Sequence, residues 1–177
     1  MLGLNKDIVK LVPYENEWAI EFEKEKDRLK NVLGDYALDI QHVGSTSIPG
    51  IVCKPILDIA VAVKNLEVLE ELIPILTNAG YDVKNSIEDK EEILARKGSP
   101  ECRTHYIHIE VLNGEFWKHH ILFRDYMLKH PEAVAMYEKI KKDSFSLYKD
   151  DRKKYTESKH NFIREILEKA EKEITQK

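Results

Sequence analysis

A chain of 177 residues, 42% hydrophobic and 34% charged, has room for one globular core and is not a disordered composition. Its net charge of −4 offers no electrostatic case for bulk nucleic acid or an anionic membrane as partner. The first ten residues lack a signal-peptide pattern and no apolar run approaches membrane-spanning length, so one cytoplasmic domain over residues 1–177 is expected. Cys53 and Cys102 stand far apart with no CxxC, which fits inert thiols in a reducing compartment.

In chain order, Ile8 to Val12 reads as a short strand and Glu15 to Leu33 as a helix. Trp18, Phe22, Leu29 and Leu33 share one face of that helix, and Gly34 ends it. Leu38 to Val43 reads as a strand. Ile56 to Val63, apolar on both faces, reads as an interior strand. Leu66 to Ala79 has helical spacing interrupted by Pro74, which should kink or split it. Tyr81 to Val83 and Glu92 to Lys97 read as strands joined by the polar stretch Asn85 to Lys90. Thr104 to Leu112 is the next strand. After Gly114 the pattern is helical: Glu115 to Lys129, a second helix opened by Pro131, and a third capped by Asp150/Asp151. Tyr155, Phe162, Ile166 and Ala170 form the stripe of that third helix. Strands followed by helices predict an α+β (mixed α/β) fold with a helical C-terminal third.

Two stretches carry chemistry. The first joins the two apolar strands through Gly44-Ser45-Thr46-Ser47-Ile48-Pro49-Gly50. Gly44 admits backbone angles closed to other residues and lets a ligand approach the main chain. Ser45, Thr46 and Ser47 suit a helix cap, where backbone N–H groups receive phosphate oxygens. Lys54 adds a point charge. The spacing from Gly44 to Gly50, with Ile51 following, excludes a Walker-type loop. Asp58 sits on the next strand, where a carboxylate would hold a divalent metal.

The second stretch is Thr104 to Leu112. Alternation places Ile107, Ile109 and Val111 on one face and Tyr106, His108 and Glu110 on the other, with His105 on the apolar side. If this strand lies beside Ile56 to Val63, Asp58 and Glu110, with His108 or His42, form a metal site. Two oxygens and waters suit Mg²⁺; added imidazole favours Mn²⁺ or Zn²⁺.

Together with Phe123-Arg124-Asp125-Tyr126, Tyr155-Thr156-Glu157-Ser158-Lys159, and the entry pair Tyr14 and Trp18, these ordered motifs make nearly the whole chain resemble the GrpB family. The resemblance implies a nucleotidyltransferase-like mixed sheet with helices on one side. Some relatives are fused to dephospho-CoA kinase, a hint of nucleotide or coenzyme metabolism. In the wider superfamily a Gly-Ser loop precedes Asp-x-Asp or Asp-x-Glu, and a third acid follows on a later strand. Gly44-Ser45 matches the loop, Asp58 the first acid and Glu110 the third; Ala60 stands where the second should be.

The expected activity is therefore metal-dependent nucleotidyl transfer from a nucleoside triphosphate to an unknown acceptor. Asp58, Glu110 and His108 are the catalytic candidates. Gly44, Ser45, Thr46, Ser47, Lys54 and Lys159 would bind phosphate, and Asp58, Glu110 and His42 would hold Mg²⁺ or Mn²⁺. Two alternatives stand beside it: a non-catalytic nucleotide- or anion-binding module that lost the second acid, and a metal hydrolase using His42, His108 and Asp58. The same residues also admit plainer roles: a tight turn at Gly44, a structural acid at Asp58, a core histidine at His105. Arg96, Lys97 and Arg103 either steer phosphate or are surface charge, and Lys139, Lys141 and Lys142 read as a solvated helix face.

Overall fold

The computed structural model describes residues 1–65, 67–83 and 92–176. Helix α1 spans Glu17–Leu33 and buries Trp18, Phe22, Leu29 and Leu33, the stripe its periodicity predicts. Gly34, at φ 53°, turns the chain out of it. Strand β1 is Asp39–Val43, and a single 3-10 turn, Ser45–Ser47, follows. Strand β2 is Leu57–Val63 and helix α2 is Glu67–Asn78. Pro74 lies inside α2, which is not split there. Strands β3 (Asp82–Val83), β4 (Glu92–Lys97) and β5 (His105–Val111) complete the sheet. The stretch Asn85 to Lys90 lies outside the described residues.

Helices α3 (Glu115–Lys129) and α4 (Pro131–Tyr148) fall where the sequence places them. The expected third C-terminal helix is two: α5, Arg152–Glu157, capped by Asp151, and α6, His160–Thr175. The predicted N-terminal strand is also corrected. Leu4 and Val12 make only isolated bridges, to Arg103 and Cys53, because no continuous ladder runs beside them.

Among the described residues the sheet has five strands in the order β1-β2-β5-β4-β3. Only β2 and β5 pair in parallel; the other neighbours are antiparallel. Leu57, Ile59, Val61, Ile107 and Ile109 point to one face, where they meet α1 and α2 in the main core. The opposite face carries Asp58, Ala60 and Ala62 on β2, and Tyr106, His108 and Glu110 on β5. Helix α3 lies against it, with Trp117 and Ile121 packed on Val43, Ala60 and Ala62. A third cluster binds Ile48 and Ile51 of the loop to Phe123, Met127, Tyr137 and Phe162. Each such fully buried side chain contributes roughly 1.5–3 kcal/mol, so the loop after β1 is pinned beneath the helical third. No helix among the described residues is long and apolar enough to cross a membrane.

Candidate functional site

The loop is tighter than a helix cap. Gly44 has φ 66° and ψ −169°, a region essentially closed to residues with a Cβ. The Ser47 hydroxyl donates back to the Gly44 carbonyl at 2.6 Å. Thr46 is buried, its Oγ1 3.0 Å from His42 Nε2. A three-residue turn supplies no aligned helix dipole, so the expected helix-terminus phosphate cradle does not form. Gly44 also serves a different neighbour from the one expected: a Cβ there would lie 2.5 Å from Asp58 Oδ2. The glycine makes room for the acid.

Beyond Asp58 lies a cavity of about 40 Å³, space for roughly three waters or the oxygens of one phosphoryl group. Its walls include Ser45, Thr46, Asp58, Lys54, Lys141 and Lys159. Three lysines therefore face one carboxylate. Lys141 and Lys159 are buried, and Lys141 Nζ has no hydrogen-bond partner among the described residues. Lys159 Nζ lies 3.6 Å from the centroid of the Tyr155 ring. Burial, with Lys54 and Lys141 as like-charged neighbours, drives Lys159 down to about 6. Burial likewise lowers Lys54 and Lys141 to about 8. Buried ammonium groups of this kind carry a desolvation cost that a neighbouring negative charge offsets.

Lys141 corrects the solvated-face reading. Ala133, Tyr137, Lys141 and Ser144 form the buried stripe of α4, so the i+4 spacing from Tyr137 was the available signal. Lys159 reaches the cavity because the chain breaks between α5 and α6 at its position.

On its other side Asp58 meets His108, whose Nε2 is 3.6 Å from Asp58 Oδ1. His108 Nδ1 contacts Glu92. Burial opposes charge on this imidazole, but the carboxylates of Asp58 and Glu92 on either side of it raise it to about 10. Burial also pushes Asp58 up, yet the neighbouring His108 imidazolium and the charge of Lys54 hold it below the usual carboxylate range. The register places Ala60 directly beside His108. Position 60, where the resemblance leads one to expect a second acid, thus borders an imidazole.

Glu110 does not join Asp58. Asp58 pairs with Tyr106 and Glu110 with Ala62; four residues of strand separate them, about 13 Å at 3.3 Å per residue. His108 stands between. His42 is not a partner either. On β1 it points with Ile40 to the α1 face and stacks on Phe22 at 4.8 Å, whereas Val43 is the residue paired with Asp58. Ser47 and Gly44 do not line the cavity.

His105 is in the core as read, with one ring nitrogen 2.9 Å from Thr104 Oγ1 and the other unpartnered. Burial holds His42 and His105 down at about 4. Their folded values lie below the unfolded value near 6.5, so the unfolded chain binds more protons between pH 4 and 6.5. Their contribution is full above that window and is lost as pH falls through it. Urea melts at pH 7 and 4.5 are expected to show a loss on the order of 3 kcal/mol, reduced in His105→Leu. Equal loss in that variant would remove His105 from the account.

The remaining cations hold the fold. Arg103 is buried, donates to the Gly98 carbonyl at 2.6 Å and pairs with Asp82. Lys97 pairs with buried Glu25, and Arg96 stands 3.8 Å from Asp82. Arg124 ties α3 to β1 through Gln41 Oε1 and the His42 carbonyl.

The family profile described as GrpB protein matches residues 8–169. The Glutamate-rich protein GrpB of Alkalihalophilus pseudofirmus is 39% identical, over 94% of this chain and 98% of its own. A dephospho-CoA kinase of Mycolicibacterium paratuberculosis is 27% identical over 92% of this chain but only 46% of its own length. The crystal structure of the conserved protein GrpB from Enterococcus faecalis superposes with a TM-score of 0.85 at 30% identity, covering 93% of this chain and 99% of that one. Matched from its first strand to its last helix in sequence and in fold, the chain belongs to the GrpB family.

Proposed function

We propose that this chain binds a nucleoside triphosphate by its phosphates and transfers the nucleotidyl group to an acceptor. The observation that carries it is the placement of Asp58 as the acid wall of a cavity otherwise lined by Lys54, Lys141 and Lys159. Three lysines that line one cavity repel one another, and together they suit a group with several negative oxygens. The cavity takes one phosphoryl group, so the base and sugar lie outside it. An acceptor oxygen would attack the α-phosphorus, the bond to the β-phosphate would break, and the lysines would take up the charge of departing pyrophosphate.

Asp58 is the carboxylate residue that lines the cavity, and it is ionised and part-exposed, so it fits an ion held by one carboxylate and the substrate's own phosphates. Mg²⁺ or Mn²⁺ held there would neutralise charge on the phosphate oxygens. The expected Asp58–Glu110 pair does not fit a single ion, given their separation along the strands.

A second reading is favoured by Ala60, which is buried under Trp117 with no acid in its place. It is a module that binds the same nucleotide without turnover. Thermal melts with ATP, GTP, CTP, UTP and CoA, with and without Mg²⁺ or Mn²⁺, test both. A hundredfold excess over Kd should raise Tm by roughly 5–10 °C. Pyrophosphate release that Asp58→Asn abolishes supports transfer. A shift with no pyrophosphate release across a broad acceptor panel leaves the binding module, and no shift from any nucleotide sinks both.

A further inference from the structure

Glu110 is wholly buried, and among the described residues neither carboxylate oxygen accepts a hydrogen bond. An acid so placed is costly unless a cation meets it. His120, from the second turn of α3, brings Nδ1 to 2.8 Å from Glu110 Oε1, yet this nitrogen also makes no hydrogen bond, because the approach is out of line. His108 completes the group: one nitrogen from each imidazole and one Glu110 oxygen lie within 4.8 Å of one another. The two rings are 4.8 Å apart and tilted by 55°, so they converge rather than stack face to face.

We infer that His108, Glu110 and His120 form a binding site for a divalent transition metal, Zn²⁺ before Mn²⁺, separate from the phosphate cavity. Two imidazoles and one carboxylate select such ions over Mg²⁺ and Ca²⁺. Ligand atoms around a tetrahedral ion with 2.0–2.1 Å bonds stand roughly 3.4 Å apart, so small ring rotations close the present spacing. The strand supplies two ligands at i and i+2 on one face, and the helix packed on that face supplies the third. Glu92, against His108 Nδ1, is the outer carboxylate that orients a ligating imidazole. Three protein ligands leave a position open for water or substrate. Neither Glu110 nor His120 lines the lysine cavity.

The test is direct metal binding by the full chain. Protein stripped with chelator is titrated with Zn²⁺ and Mn²⁺ by calorimetry and with Co²⁺ by visible absorption. One equivalent is expected to bind, with Co²⁺ showing the strong bands of a low-coordinate N/O site. Glu110→Gln, nearly isosteric, and His120→Ala should each weaken binding at least about 100-fold, and Glu92→Gln about 10-fold. Asp58→Ala should retain the site, which separates this result from the nucleotide reading. Should His120→Ala fail to fold, His120→Asn takes its place. Absence of binding by the stripped wild-type chain, or unchanged affinity in Glu110→Gln, overturns the site.

Discussion

Gly44→Ala is expected to destabilise the chain by roughly 3–5 kcal/mol, a large share of a typical domain's total. Two costs combine. The backbone at φ 66°, ψ −169° is open to glycine and strained for any residue with a Cβ. The added methyl would also meet Asp58 at three atoms: Oδ2 at 2.5 Å, Cβ at 2.8 Å and Cγ at 3.0 Å. Asp58 cannot yield freely, because His108 engages its other oxygen and β2 fixes its backbone. Urea unfolding measures the sum, and a double-mutant cycle separates the parts. Asp58→Ala removes two of the three clashing atoms, so Gly44→Ala should cost about 1–2 kcal/mol less in that background. Strict additivity would show that the cost is backbone strain alone.

Lys141→Met is expected to act in the opposite direction on stability and to weaken anion binding. Methionine keeps the length of the side chain and its contact with Tyr137, over whose ring Lys141 Nζ now lies at 5.1 Å. It removes a buried ammonium with no hydrogen-bond partner. A gain of about 1–2 kcal/mol, or roughly 2–8 °C in Tm, follows. The sign with pH is fixed by the lysine's lowered value of about 8. Below pH 8 it is charged both folded and unfolded, so the native state bears the full penalty and the variant its full advantage. That advantage shrinks as pH rises toward 10.5, where the native lysine is neutral. Affinity for inorganic phosphate or a nucleotide should fall about 10- to 100-fold, the worth of one hydrogen bond to a charged group. A variant less stable than wild type at pH 7 would mean that Lys141 is already compensated.

The elements were legible where one periodicity and one cap agree. Helix α1 follows from Trp18, Phe22, Leu29 and Leu33 with Gly34 behind them, and α4 from Pro131. The break between α5 and α6 was not, because Tyr155, Phe162, Ile166 and Ala170 keep helical spacing across it while Lys159 interrupts the backbone. In the site, Asp58, Ser45, Thr46, Lys54 and Lys159 were named from the sequence and do line one cavity. His42 was misplaced because its face relative to Asp58 follows from the register of β1 on β2, which pairs Val43 with Asp58. Glu92 was hidden for a deeper reason: its meeting with His108 depends on the register of β4 on β5, which no local pattern encodes. His120 shares a helical face with Trp117 and Ile121, and that face was readable as the one turned to the sheet.

The three cavity lysines come from three distant stretches: the approach to β2, the middle of α4 and the joint between α5 and α6. They meet only when the C-terminal helices are docked on the sheet, and once there they repel one another. On the proposed reading, an anion seated there would act as a rivet across that seam, and opening of the seam would set how fast the anion enters and leaves.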